Sequence, residues 1–222
     1  MKLALFDLDH TLLPLDSDHT WGVFTTELGW TDPLVFNQRN DEFYAFYQAG
    51  TLDIHEYVRF ATRAARERGA VEAAHAHARY MDEVIRPRIT PEALALVRSH
   101  QHAGDTVMIV TATNEFVTRP IAQAFGVSEL IAVDLERDAS GWITGEIRGT
   151  PSFREGKVTR VAHWLDQKGL GWGDVEMTFY SDSMNDLPML EKAHHPVATN
   201  PDARLRQLAT ERGWRILDLF QE

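Results

Sequence analysis

Four aspartates fall in two short segments of the sequence. Asp7 and Asp9 lie near the start of the sequence, and Asp182 and Asp186 lie far along it. If folding gathers these carboxylates, their mutual repulsion costs several kcal/mol at an intermediate dielectric constant. Such a cluster needs a cation. Hard oxygen ligands, with no cysteine and no suitably spaced histidine, favour Mg²⁺ over zinc.

Two further residues could bind a phosphoryl group. Lys157 supplies a positive charge and Thr111 a hydroxyl donor, a role that Thr113 could share or take over. A carboxylate can attack phosphorus and form an aspartyl-phosphate. A second carboxyl group nearby can protonate the leaving oxygen and then activate water. These residue types therefore indicate phosphoryl-transfer chemistry.

The elements that must position these residues read as strands alternating with helices. Residues 3–6, 106–111 and 176–181 are apolar, β-rich runs, and helical segments separate them. This alternation predicts an α/β fold with a doubly wound, mainly parallel sheet. Ligands bind outside the carboxyl ends of the strands in such sheets. We therefore expect all the candidate residues to meet at one edge.

A block of helices interrupts this alternation after the first strand. Asp32 and Pro33 are typical of a helix start, and Gly50 is typical of a helix end. Residues 52–68 and 71–85 predict two more long helices. The block predicts a helical subdomain at 16–87, inserted into a core formed by 1–15 and 88–222. In the core, Pro120 predicts that the helix over 114–125 starts late or kinks.

Four motifs in sequence order resemble those of the haloacid-dehalogenase-like (HAD) phosphohydrolases, in particular the branch that contains phosphoserine phosphatase. They are Asp7-Leu8-Asp9-His10-Thr11, the run ending at Thr111, Lys157, and the segment 181–187 around Asp182 and Asp186. The resemblance covers essentially the whole chain. It implies a Rossmann-like core with a small helical cap inserted after the first strand.

The resemblance also implies roles in catalysis. Asp7 would be the nucleophile and Asp9 the general acid and base. Thr111 and Lys157 would bind the phosphoryl oxygens. Because dehalogenases of the family lack the second carboxylate, Asp9 favours a phosphatase.

The same resemblance implies a Mg²⁺ site. The ion would be held by the Asp7 carboxylate, the Asp9 backbone carbonyl and Asp182. Asp186 would support the water shell of the metal, and Asn185 would support the loop or the phosphate.

The cap is expected to select the substrate. In phosphoserine phosphatases a Glu after the first motif holds the substrate's amino group, and the equivalent spacing here falls on Asp16, with Asp18 beside it. A solvated hinge or a helix cap is the alternative for both. Arg59 and Arg63 are candidates for the cap arginine that binds a substrate carboxylate. The hypothesis is a small aminated phosphomonoester, such as phosphoserine or histidinol phosphate.

The charge composition of the chain limits the kinds of binding partner that we expect. The net charge of -11 and a pI near 5.3 disfavour nucleic acid and an anionic membrane surface. The sequence shows no signal peptide and no apolar run of about 20 residues, so we expect a cytoplasmic protein. A small-molecule phosphomonoester is the expected partner. A monomer and a homodimer are both compatible with the sequence.

Other functions share parts of this residue set. A phosphotransferase would pass the same intermediate to an acceptor hydroxyl. A non-catalytic phospho-aspartate switch also combines acids, Mg²⁺, a Thr and a Lys on a doubly wound sheet. Such a switch domain, however, is about 120 residues long, carries no helical insertion and keeps its phospho-aspartate for a long time. A degenerate binding module is disfavoured by the intact motifs.

Overall fold

The computed structural model describes residues 1–220, and it confirms the predicted fold class. A six-stranded sheet has the order β3-β2-β1-β6-β7-β8, with every neighbouring pair parallel. A separate antiparallel hairpin pairs β4 with β5. A block of helices lies between β1 and β2 in the chain, where the cap is expected.

The strands and helices alternate along the chain outside this block. The strands are β1 Lys2–Phe6, β2 Thr106–Asn114, β3 Glu129–Val133, β4 Leu135–Arg137, β5 Ile143–Ile147, β6 Glu176–Ser181, β7 His195–Thr199 and β8 Arg215–Leu217. The helices are α1 Ser17–Glu27, α2 Pro33–Ala49, α3 Ile54–Ala61, α4 Arg63–Arg68, α5 Ala70–Tyr80, α6 Pro91–His102, α7 Glu115–Ala124, α8 Glu155–Gln167, α9 Leu187–Lys192 and α10 Ala203–Arg212.

Both faces of the sheet are buried, as β1 illustrates. Ala4 and Phe6 join one hydrophobic cluster, and Leu3 and Leu5 join another on the opposite face. Successive side chains of a strand point to opposite faces, so a continuous apolar run fits a strand covered by helices on both sides. Because helices pack on both faces, the sheet is a rigid support for the residues at its carboxyl edge.

The helical block is more broken than the sequence predicts. The single helix expected over 52–68 is two helices, α3 and α4, that meet at Thr62. The Thr62 hydroxyl donates to the Val58 carbonyl at 2.7 Å. Side chains of this type compete for helix carbonyls and favour a bend. The helix expected over 71–85 is present, but it changes from the α-helix α5 to a π-helix at Met81–Ile85, and a 3₁₀ turn follows at Arg86–Arg88.

Pro120 predicted that helix α7 would start late or kink, and the first of these does not occur. The helix begins at Glu115 because the Asn114 side chain accepts from the Val117 N–H at 3.2 Å and caps the first turn. Strands β4 and β5 form an antiparallel hairpin, with Gly141 in its turn at φ 82°.

Helices α1, α4 and α5 pack on the core rather than standing apart from it. Trp21, Ala65 and Tyr80 belong to the same buried cluster as Phe6 and Ile121 of the core. In residues 1–220, no helix is long and apolar enough to cross a membrane.

Candidate active site

A buried lysine joins the first motif to the fourth at the carboxyl edge of the sheet. The Lys157 ammonium donates to Asp7 Oδ1 at 2.7 Å and to Asp186 Oδ2 at 2.6 Å. Lys157 is 2% exposed. Ser181 Oγ also donates to Asp186 Oδ2, at 2.7 Å. Burial raises the pKa of Asp186 to about 6, although the charge of Lys157 acts in the opposite direction.

The sheet brings these residues together. Strand β1 lies between β2 and β6, and the Asp7 N–H donates to the Tyr180 carbonyl at 2.9 Å. Asp7 therefore sits beside the end of β6, where the fourth motif begins. This is the convergence at the carboxyl ends that the sequence predicts.

The segment before α8 is folded tightly against the end of β2. The Ser152 hydroxyl donates to the Thr111 carbonyl at 2.6 Å. A Cβ on Gly156 would lie 1.9 Å from the Pro151 carbonyl oxygen, so only glycine fits this approach. The tight turn places Lys157 in the first turn of α8, facing Asp7.

Asp9 is held from two sides. Its Oδ1 accepts from the Ser17 N–H at the start of α1, and its Oδ2 accepts from the Thr113 hydroxyl, both at 2.8 Å. Burial is the main cause that raises the pKa of Asp9, and the charges of Asp16 and Asp7 raise it further. A raised pKa is the direction that a general acid needs near neutral pH.

Thr111 and Thr113 make different contacts in the structure. Thr111 is buried beside the cleft, and its Oγ1 accepts from the Thr113 N–H at 3.1 Å. Its hydroxyl proton is then free to donate to a ligand. Thr113 instead binds Asp9, so it orients that carboxyl group rather than replacing Thr111.

The acids fit a hard divalent cation. Burial raises the pKa of Asp182, and the charges of Asp7 and Asp186 add to the rise. The Thr11 hydroxyl donates to Asp182 Oδ1 at 3.2 Å and fixes the loop. Among residues 1–220, no three His, Asp or Glu side chains form a ready metal group. The expected set has only two carboxylates, with a backbone carbonyl as the third ligand, and oxygen donors of this kind suit Mg²⁺.

Asn185 contacts the cap. Its Nδ2 donates to the Tyr47 carbonyl of α2 at 3.3 Å, and the Tyr47 hydroxyl lies 3.3 Å from Ser183 Oγ. The end of α2 therefore rests on the loop of the fourth motif. Asp186, by contrast, lies inward with Lys157.

A cleft of about 620 Å³ opens between the cap helices and the sheet edge. Side chains from the carboxyl edge of the sheet and from the cap helices line its walls. They include Asp7, Asp9, Asp16, Phe43, Tyr47, Tyr57, Thr111, Arg154, Lys157 and Asp182. Asp16 caps α1, since its Oδ1 accepts from the Asp18 and His19 N–H groups at 3.0 and 2.9 Å. It therefore serves as a helix cap and also faces the cleft.

The structure does not bring Arg59 to this cleft. Its guanidinium donates to Glu146 of the β4–β5 hairpin at 3.0 Å, and Arg63 pairs with Glu67. Both side chains are largely exposed, so the expectation that Arg59 binds substrate is corrected. Asp18 is 5% exposed, so the solvated-hinge alternative is wrong for this residue.

Sequence reasoning missed three contributors to the site. The Ser17 N–H holds Asp9, Ser181 holds Asp186, and Arg154 lines the cleft with a left-handed backbone at φ 54°. A non-glycine residue in that region is strained, and such strain concentrates at functional sites. The contribution of Ser181 could have been predicted, because this serine directly precedes Asp182 in the fourth motif.

Comparison with known proteins agrees with this geometry. The model of the haloacid dehalogenase-like hydrolase family matches residues 4–191. A histidinol-phosphatase of Neisseria meningitidis serogroup C (strain 8013) is 42% identical over 218 residues, which cover 98% of both chains. A crystal structure of a protein of unknown function from Bordetella pertussis Tohama I is 50% identical, with a TM-score of 0.93 and 99% of both chains covered.

A more distant structure shows the fold alone. A substrate-bound phosphoserine phosphatase complex has a TM-score of 0.67 at 18% identity, over 97% of this chain and 92% of that one.

Fold and site together define an enzyme with a parallel α/β fold and an acid cluster at the carboxyl edge of its sheet. The chain belongs to the haloacid dehalogenase-like hydrolase family. Within that family it stands with the phosphatases, as the second carboxylate at Asp9 predicts.

Proposed function

We propose that the protein is a Mg²⁺-dependent phosphomonoester hydrolase that works through an aspartyl-phosphate on Asp7. The contact of Lys157 with both Asp7 and Asp186 carries this proposal. This contact places the positive charge of Lys157 beside the Asp7 carboxylate at the end of the strand. When bound by Asp7, the Asp9 carbonyl and Asp182, Mg²⁺ would supply further positive charge for the phosphoryl oxygens.

In the first step an Asp7 carboxylate oxygen attacks phosphorus, and the bond from phosphorus to the leaving oxygen breaks. Asp9, protonated at that point, gives its proton to the leaving oxygen, so the product departs as an alcohol. Lys157 and Thr111 stabilise the charge on the phosphoryl oxygens during the transfer.

In the second step Asp9 acts as a base. It takes a proton from water, whose oxygen attacks phosphorus, and the bond from phosphorus to the Asp7 oxygen breaks. Inorganic phosphate leaves and Asp9 is again protonated. The Thr113 and Ser17 hydrogen bonds keep Asp9 pointed at the same position in both steps.

An aminated substrate, with histidinol phosphate favoured over phosphoserine, fits the cleft best. Asp16 faces the cleft with one oxygen engaged in capping α1 and the other, Oδ2, available to a ligand. Arg59 pairs with Glu146, so the cap arginine expected to bind a substrate carboxylate does not line the cleft, whereas Arg154 and Arg204 of the core do. The similarity to a histidinol-phosphatase supports the same choice.

Phosphate release across a panel of phosphomonoesters tests this function. The panel contains histidinol phosphate, phosphoserine, a sugar phosphate, a nucleotide and an aryl phosphate, each with Mg²⁺ and with EDTA. We expect Mg²⁺-dependent release that is fastest with histidinol phosphate. Equal, weak release from every ester would contradict the aminated substrate, and no release with Mg²⁺, Mn²⁺ or Co²⁺ would contradict the hydrolase.

Asp16→Asn is expected to reduce the preference for an amine. The amide can still cap α1, so it removes the charge while keeping the fold. We expect kcat/KM for histidinol phosphate to fall about tenfold or more relative to that for the aryl phosphate, since a charged hydrogen bond is lost. Asp32→Asn, at the cap of α2, is the matched control. An unchanged ratio would rule out contact between Asp16 and the amine.

Mg²⁺ is expected to raise the melting temperature of the protein. It would relieve the repulsion among the Asp7, Asp182 and Asp186 carboxylates, and a ligand that binds only the folded state stabilises it. Thermal melts with and without Mg²⁺ measure the shift without any turnover. The shift should be lost in Asp182→Asn and kept in Asp166→Asn, an exposed aspartate of α8. A full shift in Asp182→Asn would exclude Asp182 as a ligand.

A further inference from the structure

Arg154 occupies a backbone position that favours glycine. The Phe153 carbonyl accepts from the Gly156 N–H at 2.9 Å, so residues 153–156 form a tight turn with Arg154 as its second residue. The φ and ψ angles of Arg154, 54° and -122°, are those of a type II′ turn, in which glycine is favoured at this position. An arginine here is strained, and strain of this kind concentrates at functional sites.

Helix α8 is not stabilised by an arginine at its start. Arg154 is the N-cap residue of α8, and its side chain makes no capping hydrogen bond. Serine, threonine, aspartate or asparagine would cap the first N–H groups, whereas a positive charge is unfavourable at the N-terminus of a helix. The local structure therefore gives no reason for an arginine at this position.

The guanidinium of Arg154 lies on the wall of the cleft, against the end of α2. A Cβ on Gly50 would lie 2.5 Å from Arg154 Nη2, so the two segments pack closely. The guanidinium carbon is 5.5 Å from the centre of the Phe153 ring, and that ring lies 6.1 Å from the Tyr47 ring. The Tyr47 hydroxyl is 3.3 Å from Ser183 Oγ of the fourth motif. These contacts place Arg154 on the same side of the cleft as the fourth motif.

The positive charge of Arg154 has no carboxylate partner among residues 1–220. Lys157, in the first turn of the same helix, pairs with Asp7. Arg154 is half-buried and lines the cleft, but it forms no such ion pair. The chain has a net charge of -11 and therefore many acids that could have paired with it. An arginine that lines a cleft without an acid beside it is available to an anionic ligand.

We propose that Arg154 is a phosphate-binding residue, whose guanidinium donates to the phosphoryl oxygens of the substrate together with Lys157 and Thr111. A guanidinium presents its N–H groups in a planar fork that matches two phosphate oxygens. The charge of Lys157 is already shared between Asp7 and Asp186. A phosphate dianion is therefore stabilised by a second cation. This inference rests on the proposed phosphohydrolase and adds a residue to its phosphoryl site.

Calorimetric titration with inorganic phosphate in the presence of Mg²⁺ tests the inference without turnover. We expect Arg154→Met to raise the Kd of phosphate about tenfold, because hydrogen bonds to a charged group are lost. Arg204→Met is the matched control, since Arg204 also lines the cleft but is exposed. Its removal should change the Kd less than about twofold, because solvent screens an exposed charge. Equal losses in the two variants would show that only the net charge of the cleft matters, and would overturn the proposed contact.

A comparison of two esters separates phosphate from carboxylate as the group that Arg154 binds. In an Asp7→Asn background, which prevents turnover, the Kd values of phosphoserine and of phenyl phosphate are measured with and without Arg154→Met. Phenyl phosphate has no carboxylate. We expect the substitution to weaken both esters by the same factor. A loss confined to phosphoserine would overturn the proposal and would assign Arg154 to a substrate carboxylate instead.

Arg154→Gly separates phosphate binding from a structural role. Glycine adopts the φ of 54° without strain, so the variant should melt at no lower temperature than the wild type. It should nevertheless bind inorganic phosphate as weakly as Arg154→Met does. A glycine variant that melts earlier than the wild type but binds phosphate as tightly would show that Arg154 only holds α2 against the core, and would overturn the inference.

The outcomes distinguish this inference from the proposed function. If the wild type binds inorganic phosphate and Arg154→Met binds it equally well, the inference alone fails. If the wild type does not bind inorganic phosphate and the Asp7→Asn variant does not bind phenyl phosphate, the phosphoryl site itself is wrong, and both proposals fail.

Discussion

Replacing Asp7 with asparagine is expected to reduce phosphate release by a factor of about 10⁴ or more. An amide has no carboxylate oxygen to attack phosphorus, so neither chemical step can begin. The fold should survive, because the Asn carbonyl can still accept from Lys157, as Asp7 Oδ1 does at 2.7 Å. Removing one charge also reduces the repulsion that raises the pKa of Asp182.

Phosphate release under saturating Mg²⁺ measures this loss, and far-UV circular dichroism shows whether the fold is kept. Asp166→Asn makes the same chemical change on an exposed part of α8 and should leave release within about twofold. Rapid quenching of wild-type turnover should trap phosphate on the protein, and Asp7→Asn should trap none. Turnover of a well-folded Asp7→Asn variant at more than about a tenth of the wild-type rate would exclude Asp7 as the nucleophile.

The convergence of the motifs could be predicted because it depends on short-range patterns. Each motif follows an apolar run or opens a helix, and parallel strands bring their carboxyl ends to one edge. The meeting of Asp7, Lys157 and Asp186 follows from that topology. Strand β7 has a weaker sequence pattern, because Pro196 within it is a residue that disfavours strands.

The parts that the sequence could not specify depend on contacts between distant segments. Asp18 is buried and accepts a hydrogen bond from Asn114, 96 positions away. Arg59 leaves the cleft because Glu146 of the hairpin, 87 positions away, pairs with it. Local patterns carry no information about such partners. The cap, where we propose that the substrate is selected, is for that reason less predictable from the sequence than the site at the carboxyl edge of the sheet.

Lys157→Met is expected to destabilise the fold as well as to abolish turnover. Burial alone would lower the pKa of Lys157, but the charges of Asp186 and Asp7 outweigh it and raise the pKa. The lysine is therefore charged and compensates two buried carboxylates. Methionine has a similar length and no charge. Removing one partner of a buried ion pair typically costs about 3–5 kcal/mol.

Urea unfolding without Mg²⁺ measures the stability loss, and phosphate release measures the loss of activity. Lys168→Met, just past the end of α8 and exposed, should cost less than about 1 kcal/mol. The double variant Lys157→Met/Asp186→Asn removes one of the two unpaired charges, so it should recover part of the stability. It should recover none of the activity, because the phosphoryl group still lacks its cation. If Lys157→Met alone matched the wild type in stability, Lys157 would not be compensating the charges of Asp7 and Asp186. Repulsion among the carboxylates would then no longer explain why a cation is needed at this edge of the sheet.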